Sequence, residues 1–143
     1  MSRRKGRVLA FQALYSHDVG GESLNDLLKL EWDDNSASSE KENLDTSSED
    51  FARLLISGTI NHLDEIDSLI KSHLTDKWEF ERVNKVSLAI LRMSVFSLLY
   101  QKDMPASVVI DEAISISKKY GSDDAFRFVN AILDTIRKEV EKQ

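Results

Sequence analysis

The chain has no cysteine, a single proline and only five glycines among its 143 residues. The lack of cysteine excludes disulfides and thiol chemistry and suits a reducing compartment. The scarcity of proline and glycine argues against a turn-rich β protein. No stretch approaches the 18 uninterrupted apolar residues of a membrane span, and no signal-peptide core follows the basic N-terminus. We therefore expect a cytoplasmic protein without a membrane partner.

Acidic residues outnumber basic ones, 25 Asp and Glu to 19 Lys and Arg, yet none occurs among the first seven residues. Four basic residues lie there: Arg3, Arg4, Lys5 and Arg7. Such a cluster could bind a polyanion locally, because phosphate contacts by Arg and Lys supply most of the non-specific affinity for nucleic acid. Basic runs are weak motifs, so an incidental, solvated N-terminus remains an alternative.

Apolar residues recur at helical spacing, and strand-type alternation is absent. We predict an all-α, single-domain bundle of about six or seven helices over residues 1–143. The first helix runs from about Arg4 to His17 and ends in a turn at 18–21, because paired glycines break helices. A short helix follows near 24–30. Residues 31–50 are acidic and poor in apolar side chains, which predicts a flexible insertion.

Thr46 to Glu49 supply N-cap residue types before a long apolar face that runs from Phe51 to Leu74. Gly58 on this face predicts a close helix crossing, since glycine inside a helix costs about 1 kcal/mol relative to alanine. Residues 76–79 resemble a loop. The segment 83–100 is apolar almost all round, which is typical of a buried central helix.

Two helices are predicted after the central one. Pro105 suits the first turn of the first of them, and Gly121 suits its C-terminal end. Ser122 is the predicted cap of the last helix. The core face of that helix follows the spacing i, i+3, i+4, i+7 and i+11: Val129, Ile132, Leu133, Ile136 and Val140.

Patterns typical of enzymes are missing. Ser16, His17 and Asp18 are triad residue types, but adjacent helical side chains diverge by about 100° and cannot converge. The three histidines have no metal-ligand spacing, and neither a P-loop nor a dinucleotide-binding motif is present. We expect no catalytic activity, no metal and no cofactor.

Three blocks carry a resemblance to a known family: the basic cluster with Ala10 to Tyr15; Phe51 to Ile70 with the later Ala89-Ile90-Leu91-Arg92; and Met104 to Ile136. The third block is the most specific, with its order of Pro, Ile-Asp-Glu-Ala, Lys, Tyr-Gly, Asp and Phe-Val-Asn. Together the blocks cover most of the chain outside residues 19–50. The chain resembles the NusB family of transcription antitermination factors.

The resemblance implies an all-helical protein without enzymatic activity. NusB proteins bind the single-stranded boxA element of ribosomal RNA leaders together with NusE, which is also a small-subunit ribosomal protein. That complex joins other Nus factors on RNA polymerase and prevents early termination. Members of the family occur as monomers and as dimers, so a homodimer is also open.

The resemblance also implies an RNA-binding site. Its residues would be Arg3, Arg4, Lys5, Arg7, Tyr15, Lys118, Tyr120, Asp124, Arg127 and Phe128. Arg3 and Arg7, spaced i, i+4, would share a helix face and meet phosphates. Tyr15 would stack on a base or hydrogen-bond near the RNA. Asp123 and Asp124 would accept hydrogen bonds from bases or cap the last helix.

Two positions depart from the family pattern: Ser87 and Ser97 stand where acidic residues are usual. They put details of a NusE interface near the central helix in question.

Two other interpretations of the chain remain. One is a non-enzymatic helical interaction module whose basic N-terminus is incidental. The other is a NusB-like domain detached from an RNA-modifying enzyme, which the end of the chain at Gln143 disfavours.

Overall fold

The computed structural model describes residues 3–29, 46–75 and 79–142. Within these ranges it has no β-strand, one short 3₁₀ turn at Phe80–Arg82 and seven α-helices, which confirms the predicted all-α class and helix number. The helices are α1 (Arg3–Gly20), α2 (Leu24–Leu28), α3 (Thr46–Asn61), α4 (Leu63–Ser72), α5 (Lys85–Tyr100), α6 (Ala106–Tyr120) and α7 (Ala125–Glu141). None of the helices in these ranges is long and apolar enough to cross a membrane.

The first helix packs against α3 and α5 with its apolar side buried, and its Arg4 and Arg7 side chains contact residues of α6. Gly6 allows α1 to lie close to α3, since a Cβ atom there would lie 2.8 Å from the Phe51 ring and 3.0 Å from the Ser48 carbonyl oxygen. The predicted turn at residues 18–21 is wrong for the first three of these residues, because α1 continues to Gly20. Gly21 adopts a positive φ, 72°, and the chain turns there.

The acidic segment is described only in part. Residues 30–45, and 76–78 of the predicted loop, lie outside the described residues. Residues 46–50 belong to α3, so the insertion predicted for 31–50 is wrong at its C-terminal end. The cap-forming residue types at Thr46 to Glu49 were the better indication of where this helix begins.

The apolar face predicted from Phe51 to Leu74 belongs to two helices rather than one. The helical pattern breaks at His62, whose φ and ψ are −116° and 22°. The His62 ring stacks on Tyr100 with centroids 4.3 Å apart. A Cβ atom on Gly58 would overlap the Phe96 ring, which confirms the predicted close crossing of α3 with the central helix.

The central helix α5 is buried on nearly every side from Ser87 to Leu98, as its composition predicts. Asn84 caps it, since its side-chain oxygen accepts hydrogen bonds from the backbone N–H groups of Val86 and Ser87. Arg92 on this helix makes two 2.8 Å hydrogen bonds to the Asp67 carboxylate of α4. The paired geometry holds α4 against α5.

The last two helices follow Pro105, which directly precedes α6. The five residues of the predicted core face of α7 are all buried. Gly121 ends α6 in an extended conformation, and a Cβ atom there would lie 2.8 Å from the Ser117 carbonyl oxygen.

Candidate nucleic-acid interface

The basic residues at the start of α1 differ in their surroundings. Arg3 is exposed, whereas Arg4 and Lys5 are half-buried. The Arg4 guanidinium donates a hydrogen bond to the Ser115 hydroxyl, which lies on α6. The first turn of α1 therefore lies beside α6, and Arg3 is the cation of this turn that is open to an anionic ligand.

Arg7 is a structural residue, and its predicted phosphate contact is wrong. Only 1% of its surface is exposed, because it lies on the buried side of α1. Its guanidinium forms an ion pair with Glu112 of α6. It also donates to the Ser97 hydroxyl at 3.1 Å and contacts the Met104 sulfur at 3.3 Å. Burial lowers the pKa of Arg7 from its ordinary value, and Glu112 opposes this shift.

Tyr15 is exposed over 37% of its surface and lies on the same helix as Arg3. The two residues are twelve positions apart, which corresponds to about 18 Å along a helix at 1.5 Å per residue. Tyr15 and the N-terminal cations therefore do not form one compact pocket. A ligand that reached both would extend along α1.

The second predicted segment is the junction between α6 and α7. Lys118 and Arg127 are exposed. Tyr120 and Phe128 are half-buried and pack against the core, and the Tyr120 ring lies 5.2 Å from that of Phe11. Packing therefore covers part of each aromatic ring and leaves the rest accessible to solvent. The Tyr120–Phe11 contact brings the junction next to α1.

The expected capping at the start of α7 is wrong. The helix begins at Ala125, after Asp124, and no side chain forms a cap hydrogen bond there. Ser122 contributes its backbone carbonyl instead, which accepts from the Ala125 N–H at 3.0 Å. The Asp124 carboxylate is exposed and lies 4.0 Å from the Arg127 guanidinium. Its hydrogen bonding to bases stays a prediction.

The comparison with known proteins agrees with this architecture. The family model described as the NusB family matches residues 4–138. The chain belongs to the NusB family. It is 47% identical over 137 residues to the transcription antitermination protein NusB of Treponema denticola, covering 96% of both chains.

Solved structures of NusB proteins show the same fold. The structure of T. maritima NusB is 34% identical, with a TM-score of 0.79 over 100% of this chain and 99% of that one. A crystal structure of the antitermination factors NusB and NusE in complex with dsRNA gives a TM-score of 0.81 at 30% identity, over 96% of each chain. The fold and the family are thereby shown over nearly the whole length.

The two serines that depart from the NusB pattern are both buried on α5, with 2% and 1% exposure for Ser87 and Ser97. The Ser97 hydroxyl accepts from Arg7 and donates to the Gln101 side chain at 2.6 Å. In this position it forms part of the surroundings of the buried guanidinium. A direct contact of either side chain with a protein partner is excluded while the helix stays packed.

Phe126 is a residue of this region that sequence reasoning missed. It lies in the first turn of α7 and is half-buried. The Lys118 ammonium lies 4.8 Å from its ring centroid and the Arg127 guanidinium carbon 5.7 Å. The sequence contained one indication of such a role, since Phe126 directly precedes Arg127, a predicted RNA-binding residue. The position of Lys118 beside this ring depends on the turn between α6 and α7, so the spacing of the residues in the sequence does not predict it.

Proposed function

We propose that the chain is a transcription antitermination factor that binds boxA-type single-stranded RNA of ribosomal RNA leaders together with NusE. It would act within an RNA polymerase-associated complex with other Nus factors, as a non-enzymatic, cytoplasmic protein. The observation that carries the proposal is the close fit of this chain to the NusB subunit solved with NusE and dsRNA. Membership of the NusB family supports it along residues 4–138.

Two groups of residues form the proposed RNA-binding surface. Arg3 at the start of α1 and Lys118 and Arg127 at the α6–α7 junction would bind phosphates, and the half-buried Arg4 and Lys5 would add positive charge beside Arg3. Tyr15, Tyr120 and Phe128 would contact bases with their accessible edges or faces, and Asp124 would accept hydrogen bonds from base amino groups. Residues 1–143 would act as one domain, in which Arg7 fixes α1 to α5 and α6.

The proposed surface explains how a protein of net charge −6 can bind RNA. The hydrogen bond between Arg4 and Ser115 joins the N-terminal basic residues to α6, three residues before Lys118. Residues three apart on a helix lie on neighbouring parts of one face. Cations from opposite ends of the sequence thus lie close together, and a local positive field arises on an acidic molecule.

Equilibrium binding to a boxA-type RNA and a scrambled control, each with and without NusE, tests the proposal. We expect preference for boxA, stronger binding with NusE, and preference for single-stranded over fully paired RNA. The variant Arg3→Ala/Lys118→Ala/Arg127→Ala should lose most of its affinity, because it removes three exposed phosphate contacts. These substitutions spare Arg7, whose loss would disturb the fold.

Lys142→Ala is the matched control, because Lys142 is an exposed cation just after the C-terminal end of α7. It lies about 25 Å from the start of that 17-residue helix, at 1.5 Å per residue. Its RNA affinity should equal that of the wild type. Equal binding to boxA and scrambled RNA in the presence of NusE would refute the proposed function.

A further inference from the structure

We propose that Phe126 is a base-stacking residue of the RNA-binding surface and that Lys118 and Arg127 bind the phosphates on either side of the stacked base. This inference rests on the proposed function, since it names a contact within the same surface. The ligand chemistry is that of one unpaired nucleotide: a planar base against the ring and an anionic backbone against the two cations.

The position of the ring relative to the core is the first argument. Phe128, two residues later, packs against the hydrophobic core, as Tyr120 does before the turn. Phe126 belongs neither to the core nor to the partly buried apolar residues packed against it. A half-buried phenylalanine outside the core retains accessible aromatic surface, and aromatic surface of this kind is what single-stranded nucleic acids stack upon.

The two cations are the second argument. Lys118 comes from the last turns of α6 and Arg127 from the first turn of α7, and both lie within cation–π distance of one ring. Two positive charges beside one ring favour anionic groups next to them. The Asp124 carboxylate lies 4.0 Å from Arg127 and is largely exposed, so it neutralises that side only weakly. The phosphates on either side of a base stacked on the ring would satisfy the two cations.

Continuity with the basic N-terminus is the third argument. Ser115, which holds Arg4, lies on α6 one helical turn before Lys118. The surface therefore passes from the first turn of α1, over α6, to the Phe126 ring. A single strand bound to the N-terminal cations would meet this ring next along its path.

Substitution of the ring tests the proposal. Phe126→Leu keeps an apolar side chain but removes the stacking face, and it should weaken binding of single-stranded boxA-type RNA about tenfold. Phe126→Trp should bind at least as tightly as the wild type, because a larger ring stacks as well. Urea unfolding of each variant should match the wild type, since the ring lies outside the core.

Phe80→Leu is the matched control. The Phe80 ring also has a lysine and an arginine beside it, with Lys71 Nζ at 4.7 Å and Arg92 Cζ at 5.8 Å, but it packs against the core on another part of the molecule. Its RNA affinity should be unchanged. If Phe80→Leu lost as much RNA affinity as Phe126→Leu, ring–cation pairs would affect RNA binding through the stability of the protein. That result would overturn the proposal.

A scan of the RNA with single abasic nucleotides identifies the stacked base. At one position the missing base should weaken wild-type binding about tenfold and leave the affinity of Phe126→Leu unchanged, as expected for two changes that remove one contact. Wild-type affinity of Phe126→Leu for intact RNA would overturn the stacking proposal and leave the proposed function standing. No RNA binding by the wild type, with NusE present, would overturn both.

Discussion

Arg3 and Arg7, one helical turn apart in α1, have opposite roles. Arg3 is exposed, whereas Arg7 is surrounded by Glu112, Ser97 and Met104. A buried cation is tolerated only when it is paired and hydrogen-bonded, because the apolar interior disfavours the charged form. The ion pair with Glu112 and the hydrogen bond to Ser97 meet that requirement and join α1 to α6 and α5.

Glu112→Ala should therefore lower the free energy of unfolding by about 3–5 kcal/mol, since it leaves the Arg7 guanidinium buried without its counter-charge. Urea denaturation measures the change. Asp111→Ala is the control, because Asp111 is the adjacent acid of α6 and is exposed, so a change within about 0.5 kcal/mol is expected. Equal stability of the two variants would contradict the structural role given to the Arg7–Glu112 pair.

The basic run alone could not show which of its members is buried. A signal for Arg7 nevertheless existed in the sequence, because Arg7, Phe11 and Leu14 follow the spacing i, i+4 and i+7 of one helical face, and all three are buried. The identity of the partner was not available in the same way. Glu112 lies 105 positions away, and its meeting with Arg7 is a result of the tertiary fold.

At the level of helices, α3 and α5 meet at a crossing that depends on Gly58. The ring of Phe96 occupies the space that a side chain at position 58 would need. That ring is itself buried, with 5% exposure, and lies 5.6 Å from the Tyr100 ring. Neighbouring aromatic rings restrict its movement, so the crossing cannot easily widen at this point.

Gly58→Ala should destabilise the protein by about 1–3 kcal/mol, since overpacking outweighs the roughly 1 kcal/mol that alanine gains over glycine inside a helix. Thermal unfolding followed by circular dichroism measures the difference. Gly20→Ala is the matched change at the end of α1. No atom lies within 4 Å of the Cβ that alanine would add there, so the midpoint temperature of unfolding should stay the same or rise. A stabilised Gly58→Ala variant would disprove the close crossing.

The apolar periodicity predicted the existence of the main helices and the core face of α7, because burial against neighbours follows that periodicity directly. It did not predict the break at His62, since Leu63 and Ile66 continue the same apolar pattern across the break. The start of α7 was also missed. Ser122 is a favoured cap residue, but the chain completes a turn first, and its carbonyl bonds to the N–H of Ala125.

The whole molecule combines a net charge of −6 with a proposed RNA-binding surface to which the start of α1 and the α6–α7 junction both contribute cations. Most of the acidic surface would repel a polyanion. Binding would thus depend on a few phosphate contacts and be strongly screened by salt. Because Arg7 is buried, the proposed phosphate contacts of the N-terminal cluster would be fewer than its four basic residues suggest.

The dependence of RNA affinity on salt should therefore have a slope near −2 in logarithmic units for the three exposed cations Arg3, Lys118 and Arg127, at about −0.7 per phosphate contact on a single strand. Each single alanine variant should reduce the magnitude of the slope by about 0.7. Titrations at several salt concentrations measure it, with Lys142→Ala as the variant whose slope stays at the wild-type value. Unchanged slopes in all three alanine variants would exclude these phosphate contacts.

The anchoring of Arg7 also determines how ordered the protein is before its ligand arrives. Terminal turns of helices commonly fray, and a segment that orders on binding loses conformational entropy at that moment. In α1 the opening of the second turn would have to separate Arg7 from Glu112 and Ser97. The turn that carries Arg3 and Arg4 is thus held in helical form in the free protein, and the proposed binding of RNA would require little folding of the cationic end.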